Sequence, residues 1–384
     1  MSFRRIIFWL HLVAGLFTGI LVAIMSVTGI AIAFEEEILQ WVDRDLITHN
    51  EETSAHLDLE TLIQSAKAQH PELAIDLIQI PKDPQLNYQA FVSWEGPLYI
   101  NPHSGATSYT QTHTAHEILH ELEAWHRWLG MSDDWFFFGR MLMGSANLIF
   151  IFLCISGLYL WWPKKWNWRQ LKQRLLLKRG QQGKAKDYRW HNVIGIWSLP
   201  VLLLLGITAV AISFRWGHNL VFQLYGEAPK ESRNFGMMAV EPAPVPTPKA
   251  TDIPLDLETH QHTLANAYPE WEWIGLHLPD EASASTASDS FKAFVLFPAP
   301  MPSRAYMPVE LDPYRGDILQ ATHLNDRSPG LRARVWVRFL HTGEAFGLLS
   351  KIISSLACVG ALILVYTGFR LSWMRFFKKR SKTR

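Results

Sequence analysis

Four histidines stand where the chain enters or leaves its most apolar segments, and their side chains are the best placed to do chemistry. His11 lies near the start of the first such segment and His191 at the start of the third, whereas His126 and His341 shortly precede the second and the fourth. A histidine at membrane depth is costly to bury and points to function. Neutral imidazoles on facing helices can hold a haem inside a helix bundle.

A repeat within the chain predicts which histidines act together. Several identical residues recur 180 positions apart: His11/His191, Gly15/Gly195, Thr28/Thr208 and Phe34/Phe214. We therefore expect His11 and His191 to share one depth and to hold an inner haem, and His126 and His341 to hold an outer one. Two imidazoles on one iron leave no open coordination position, so each centre would pass single electrons. Glycines in these segments would leave room for a flat macrocycle or would serve helix packing: Gly15, Gly19, Gly195 and Gly206.

Other interpretations of the histidines remain open. The rings could instead hydrogen-bond to neighbouring helices. A proton relay is disfavoured because no Asp or Glu lies inside the predicted spans. His120 is a rival to His126, because His126 and His341 differ by 215 positions whereas Gly157 and Gly368 differ by 211. His116 and His120 share a helical face, for which a solvated helix is favoured over a zinc site.

Basic residues beside these histidines could pair with haem propionates, since arginine matches carboxylate geometry. Arg127 and Arg338 suit the outer haem. Arg4, Arg5 and Arg189 suit the inner one, where a role in membrane topology is the stronger alternative. The remaining patternless histidines are expected at the surface: His103, His218, His260, His262, His277 and His323.

Four apolar segments are long enough to cross a bilayer, which takes about 20 residues. They cover 6–34, 136–162, 191–214 and 346–373. The loop 163–190 carries ten Lys or Arg against one acid, and the tail 374–384 carries six more. The positive-inside rule then predicts a multi-pass protein with both termini and this loop in the cytoplasm. Trp161, Trp162, Trp166, Trp168 and Trp373 stand where an aromatic belt is expected.

The two long polar segments, 35–135 and 215–345, resemble each other and would lie in the periplasm of a bacterial inner-membrane protein. Leu57–Glu60 matches Leu255–Glu258, and Asn101-Pro102 matches Asp312-Pro313. Each segment predicts a helix begun by an acidic turn, strands (90–94 and 291–297) and a Pro/Gly turn. A stiff, proline-rich linker, 241–254, leads into the second copy. The fold class is therefore an all-α four-helix transmembrane bundle with two small periplasmic α+β domains, made by internal duplication.

The positions of the cysteines and the absence of two motifs exclude several classes of protein. Cys154 and Cys358 both fall in apolar spans, so no disulfide framework is expected. No Cys-x-x-Cys-His run offers covalent haem attachment, which favours b-type haem. No glycine fingerprint for a dinucleotide follows a strand, so electrons would come from a cytoplasmic protein or a quinol. The expected partners are membrane lipid and this donor, with no nucleic acid.

Short motifs in a fixed order resemble a known family. They are Leu10-His11-x3-Gly15, Trp125-His126-Arg127-x-Leu129-Gly130, His191-x3-Gly195, Leu340-His341-x-Gly343, and the endings Ser156-Gly157 to Trp162 and Thr367-Gly368 to Trp373. With the Asn/Asp-Pro-x-x-Gly turns, the chain resembles the PepSY-associated transmembrane family, which includes inner-membrane ferric-siderophore reductases. The resemblance implies two PepSY-like domains and a haem-dependent oxidoreductase that reduces a periplasmic ferric siderophore. The alternative is a non-enzymatic PepSY module that restrains a periplasmic peptidase or senses a ligand.

Overall fold

A computed structural model describes residues 2–48, 55–92, 96–110, 113–163, 167–229, 243–247, 253–278, 290–303 and 305–377. Trp166 and the end of the predicted strand 90–94 lie outside these residues, as do half of the linker 241–254 and the tail from residue 378. The chain divides into two compact units. The first comprises Met1–Glu35, Leu119–Pro229 and Trp336–Arg384, and the second comprises Glu36–Ile118 and Lys230–Val335.

Twelve α-helices occur in the described residues. In chain order they are α1 (Phe3–Ala33), α2 (Glu35–Val42), α3 (Arg44–Ile47), α4 (Leu59–Gln69), α5 (His113–Trp128), α6 (Phe136–Trp161), α7 (Trp168–Leu175), α8 (Gly183–Ser213), α9 (Arg215–Gln223), α10 (Leu257–Ala267), α11 (Pro329–Thr342) and α12 (Leu348–Phe376).

Four of these helices, α1, α6, α8 and α12, are long and apolar enough to cross a membrane, which confirms the predicted number of spans. Each packs against two of the others: α1 and α8 both contact α6 and α12. Large apolar side chains face outward, among them Phe17 (80 % exposed), as a lipid-facing surface requires. The chain is therefore a membrane protein.

One span begins earlier than the sequence suggested. The predicted segment 191–214 is part of α8, which starts at Gly183. The added turns contain Lys184, Ala185 and Lys186, which favour helix although they are too polar to read as a span. As a result Asp187, expected in a loop, is a residue of the bundle.

The interior of the bundle is made of small and medium side chains. Val22, Cys154, Leu202, Ala357 and Ala361 form a buried cluster between the four spans. Such residues let helix backbones approach closely, which is how helices associate in a membrane.

The second unit contains one eight-stranded antiparallel sheet. Its strands are β1 (Leu77–Pro81), β2 (Tyr88–Val92), β3 (Gly96–Ile100), β4 (Thr107–Tyr109), β5 (Trp273–His277), β6 (Phe291–Leu296), β7 (Met307–Leu311) and β8 (Ile318–Ala321). Their order is β4-β3-β2-β1-β5-β6-β7-β8. The two polar segments thus share a single sheet, joined at its centre by β1 and β5, where Leu77 pairs with His277. Sequence patterns had indicated two separate small domains.

The two halves of the sheet unit repeat one another in detail. Asp58 caps α4 by accepting a 2.9 Å hydrogen bond from Thr61 N, and Asp256 caps α10 by accepting one of 2.7 Å from Thr259 N. Hydrogen bonds from the side chains of Thr61 and Thr259, and then these backbone bonds, hold the pKa of both carboxyl groups below its usual range. The acidic helix starts seen in the sequence are therefore real N-caps.

One histidine expected at the surface is buried. His260 on α10 is only 1 % exposed, and its ring stacks on Phe291 with centroids 4.2 Å apart. Burial lowers its pKa. Its equivalent in the first half is Leu62, which is fully buried, so His260 occupies a core position of the repeated unit.

Candidate functional site

Two histidine rings meet at one end of the bundle, here called the inner end, where the basic loop 163–190 lies. His11 of α1 and His191 of α8 have ring centroids 6.5 Å apart with an interplanar angle of 84°. His11 Nδ1 lies 2.8 Å from Ser156 Oγ of α6, and His191 Nδ1 lies 3.0 Å from Thr367 Oγ1 of α12. Each ring is thereby tied to a different neighbouring span.

A second pair of rings meets at the other, outer end. His126 of α5 and His341 of α11 have centroids 6.2 Å apart and an interplanar angle of 58°. His126 Nδ1 donates to Met25 O at 3.0 Å and contacts Thr28 Oγ1 at 3.1 Å. His341 Nδ1 makes the same two contacts one repeat later, with the carbonyl oxygen of Leu205 at 3.1 Å and the hydroxyl of Thr208 at 3.2 Å.

The hydrogen bonds fix the tautomer of all four rings. Ser156 donates its hydroxyl proton to Phe152 O at 2.6 Å, and Thr367 donates to Ile363 O at 2.7 Å. A hydroxyl that has used its only proton must accept from the imidazole. At the outer pair the backbone carbonyls are acceptors in any case. Every Nδ1 therefore carries the proton, and every Nε2 carries a lone pair that meets no hydrogen-bond donor among the described residues.

This arrangement is the one a metal-binding imidazole needs. A ligand histidine normally donates its other N–H to an oxygen, which holds the ring and fixes its tautomer. Imidazole nitrogens bind metals at about 2 Å and lie about 1 Å from their ring centre, so two imidazoles on opposite sides of one ion have centroids about 6 Å apart. Both observed separations, 6.5 and 6.2 Å, fit that requirement.

The donor set fits haem better than a bare metal ion. Within the described ranges no three His, Cys, Asp or Glu side chains come together as a metal cage. Two imidazoles alone are too few ligands for zinc, which takes three or four from the protein. A haem macrocycle supplies four ligands itself, so two imidazoles from the protein would complete the set.

Small residues beside the hydroxyls make room for the rings. A Cβ added at Gly157 would lie 3.3 Å from His11 Cε1, and one at Gly368 would lie 3.6 Å from His191 Cε1. The Ser-Gly and Thr-Gly endings therefore combine an acceptor with a space for the ring. Of the four glycines expected to leave room for a macrocycle or to serve packing, Gly19 faces Phe369 and Gly206 faces Ile151, so both serve helix packing. A Cβ added at Gly15 or Gly195 would make only ordinary contacts, at 3.9 Å from Leu153 and 3.5 Å from Leu364.

The two pairs lie far apart along the bundle. His11 and Thr28, which mark the inner and outer levels on α1, are 17 residues apart. At about 1.5 Å per residue this is about 25 Å, close to the thickness of a hydrocarbon core. One pair thus lies toward each end of the spans.

The outer rings are neutral near pH 7. Burial lowers the pKa of His126 to about 4, with a smaller contribution from His341. Burial likewise lowers the pKa of His341. A neutral ring is the form that binds a metal.

The cations predicted beside the histidines have other partners or face outward. Arg127 makes a 2.6 Å ion pair with Glu123 and lies over Trp128, with half of its side chain exposed. Arg338 is exposed. At the inner end Arg4 donates to the carbonyls of Leu160 and Trp162, which end α6.

The remaining inner cations and the rival histidine also lie outside the ring pairs. Arg189 contacts Leu176 O at 3.4 Å, and Arg5 is exposed. His120 is exposed on α5, away from the ring pair that contains His126, and His116 is partly buried.

The sequence did not indicate one ion pair between two of the spans. Asp187 of α8 is buried, and its Oδ2 lies 3.4 Å from Arg370 Nε of α12. The pair joins the same two helices as the His191–Thr367 contact, one turn away from it. The repeat places Ile7 and Tyr159 at the equivalent positions, so only the second half has this ion pair. The signal was hidden because Asp187 appeared to belong to a loop.

Comparison with known families identifies the family that the sequence motifs resemble. A family model described as the PepSY-associated TM region matches residues 8–375, which is nearly the whole chain. A search of curated proteins finds no match to this chain.

Proposed function

Because the chain belongs to the PepSY-associated transmembrane family, we propose that it binds two b-type haems and carries single electrons through the membrane to a ferric chelate. One haem would lie between His11 and His191 and the other between His126 and His341. The observation that carries this proposal is the pairing of four imidazoles, each with Nδ1 protonated and Nε2 available, at separations of 6.5 and 6.2 Å.

The residues determine which chemistry such centres support. Haem held by these residues would supply one-electron chemistry. Two imidazoles at each centre would leave no ligand position for oxygen or substrate. The hydroxyls of Ser156 and Thr367, and their outer counterparts, would hold the rings in place. The protein is therefore suited to electron transfer.

The direction of electron flow follows from the proposed topology. The basic loop 163–190 supports a cytoplasmic inner end, and hence both termini in the cytoplasm of a bacterial inner membrane. Segments 35–135 and 215–345, which share one sheet, would then be periplasmic and PepSY-like. Their matching caps on α4 and α10 support an origin by duplication.

The donor and the acceptor are proposed on different grounds. A cytoplasmic protein or a quinol would reduce the inner haem, since the sequence has no dinucleotide fingerprint. A ferric siderophore as acceptor rests on family resemblance. Reduction would loosen such a chelate, because Fe(II) is held less strongly than Fe(III) by hard oxygen ligands. The overall activity would be that of a haem-dependent ferric-siderophore oxidoreductase in iron uptake.

The test is the visible spectrum of the protein purified in detergent. We expect two haems per chain with a sharp reduced α-band, one haem in His11→Ala or His191→Ala, and one in His126→Ala or His341→Ala. His120→Ala, which alters an exposed histidine on the same helix as His126, is the matched control and should keep both. A colourless wild-type protein with full helicity would refute the proposal and favour a binding module.

A further inference from the structure

Two basic residues occupy equivalent positions in α6 and α12. Arg140 precedes Ser156 by 16 residues, and Lys351 precedes Thr367 by the same 16. The hydroxyls of Ser156 and Thr367 bind the inner histidines, so the depth of each cation can be counted along its helix from the inner pair. A cation within a span is costly, and here both halves of the chain have one.

These cations lie at the level of the outer histidines. Sixteen residues of helix rise about 24 Å from the inner pair, and the 17 residues from His11 to Thr28 rise about 25 Å. Thr28 is the residue that contacts His126. Arg140 and Lys351 therefore share the depth of the outer ring pair.

Each cation lies beside the short segment that follows an outer histidine in the sequence. Gly139, next to Arg140, packs directly on the backbone carbonyl of Trp128, two residues after His126. Lys351 Cα lies 3.2 Å from where a Cβ of Gly343 would be, two residues after His341. The same contact thus recurs in both halves.

The side chains differ in how they are held. Lys351 is only 3 % exposed. Arg140 donates to Ser213 O, the last residue of α8, at 2.9 Å. A guanidinium has five N–H donors, so it can hold this carbonyl and an anion together.

We infer that Arg140 and Lys351 bind the two propionates of the outer haem, one cation from each half of the chain. This inference rests on the proposed function. Two carboxylates on one cofactor match two cations related by the repeat, and arginine and lysine both bind carboxylate. Arg127 and Arg338 suit this role less well, because both are exposed, whereas Lys351 is buried and Arg140 is half-buried.

The experiment measures whether haem binding depends on the charge of the propionate carboxylates when both cations are present. A His11→Ala background leaves the outer site alone, and apoprotein in detergent is titrated with haem and with haem dimethyl ester, whose propionates carry no charge. With both cations present, esterification should weaken binding at least tenfold. In the Arg140→Gln/Lys351→Met double variant it should change binding less than threefold, and haem itself should bind at least tenfold more weakly. The midpoint potential of the outer haem should also fall, since a positive charge beside the iron favours the ferrous state.

Controls separate this inference from a folding defect and from the proposed function. Arg140→Lys/Lys351→Arg keeps both charges and should restore discrimination against the ester. Arg127→Gln/Arg338→Gln should behave like the parent. Equal ester discrimination with and without Arg140 and Lys351 would overturn the inference while leaving one haem bound, whereas absence of haem from the wild-type protein would overturn the proposed function.

Discussion

Replacing Ser156 with alanine should weaken the inner haem site selectively. Ser156 Oγ, 2.8 Å from His11 Nδ1, is the only hydrogen-bond partner of that ring among the described residues. The substitution removes the acceptor and leaves the Nδ1 proton of His11 without one. The carbonyl of Phe152, to which the hydroxyl donates, belongs to the helix and keeps its backbone role.

The size of the effect follows from the chemistry of a buried donor. Leaving such a group without a partner costs about 1–3 kcal/mol. Loss of the oxygen that orients a ligand histidine weakens metal binding about 10–100-fold, which is the same free energy expressed as affinity. We therefore expect haem to bind the inner site of Ser156→Ala about 10–100-fold more weakly.

The outer site provides a matched control. His341 contacts Thr208 at 3.2 Å but also donates to the carbonyl of Leu205 at 3.1 Å. Thr208→Val removes the hydroxyl with little change of shape, and the carbonyl remains as acceptor. Its effect on the outer haem should be threefold or less.

The assay is haem titration of apoprotein in detergent, followed by absorbance. Ser156→Ala is measured in a His126→Ala background, which leaves the inner site, and Thr208→Val in a His11→Ala background, which leaves the outer one. Equal effects of the two substitutions would show that the number of acceptors does not determine ligand strength. Unchanged affinity in Ser156→Ala would refute the assigned role of its hydroxyl.

The buried ion pair and the outer histidines allow two independent tests of stability. Arg370→Tyr should destabilise the protein by about 2 kcal/mol, less than for a fully buried pair because Arg370 is half exposed. Adding Asp187→Ile should restore most of the loss in thermal unfolding, since the first half already has Ile7 and Tyr159 there; an equally unstable double variant would contradict this. Haem-free protein should lose stability as pH falls from about 6.5 to about 4. Over this range His126 binds a proton in the unfolded chain, whereas in the folded protein, where its pKa is about 4, it stays neutral. The loss should be at most about 3 kcal/mol. His126→Phe should flatten this dependence in unfolding at different pH values, and an unaltered slope would exclude His126 as its source.

The sequence was sufficient to predict the four spans and which histidines meet. Both follow from patterns that are visible in the sequence itself: long apolar runs, and a repeat that aligns His11 with His191. The role of the hydroxyls was not predictable. Thr28 and Thr208 were visible as a repeated pair, but their contacts with His126 and His341 depend on where another helix lies.

Two further features depended on information that a local pattern does not contain. Asp187 looked like a loop residue because the polar start of α8 resembles a loop in composition. The strands were partly predicted, but the pairing of β1 with β5 joins residues about 200 positions apart. Alternating side chains indicate that a segment is a strand and give little information about its distant neighbour.

The central β1–β5 pair can form only late in the synthesis of the chain. When β1 has been synthesised, its partner for residues such as Leu77 is still about 200 residues away, at His277. At the usual rate of translation this is a delay on the order of 10–40 s. During that time β1 has β2 on one side and an unsatisfied edge on the other, which can pair with any other chain. The first half of the chain must therefore be shielded until β5 has been synthesised, and a gene truncated before β5 should yield a product that aggregates through this edge.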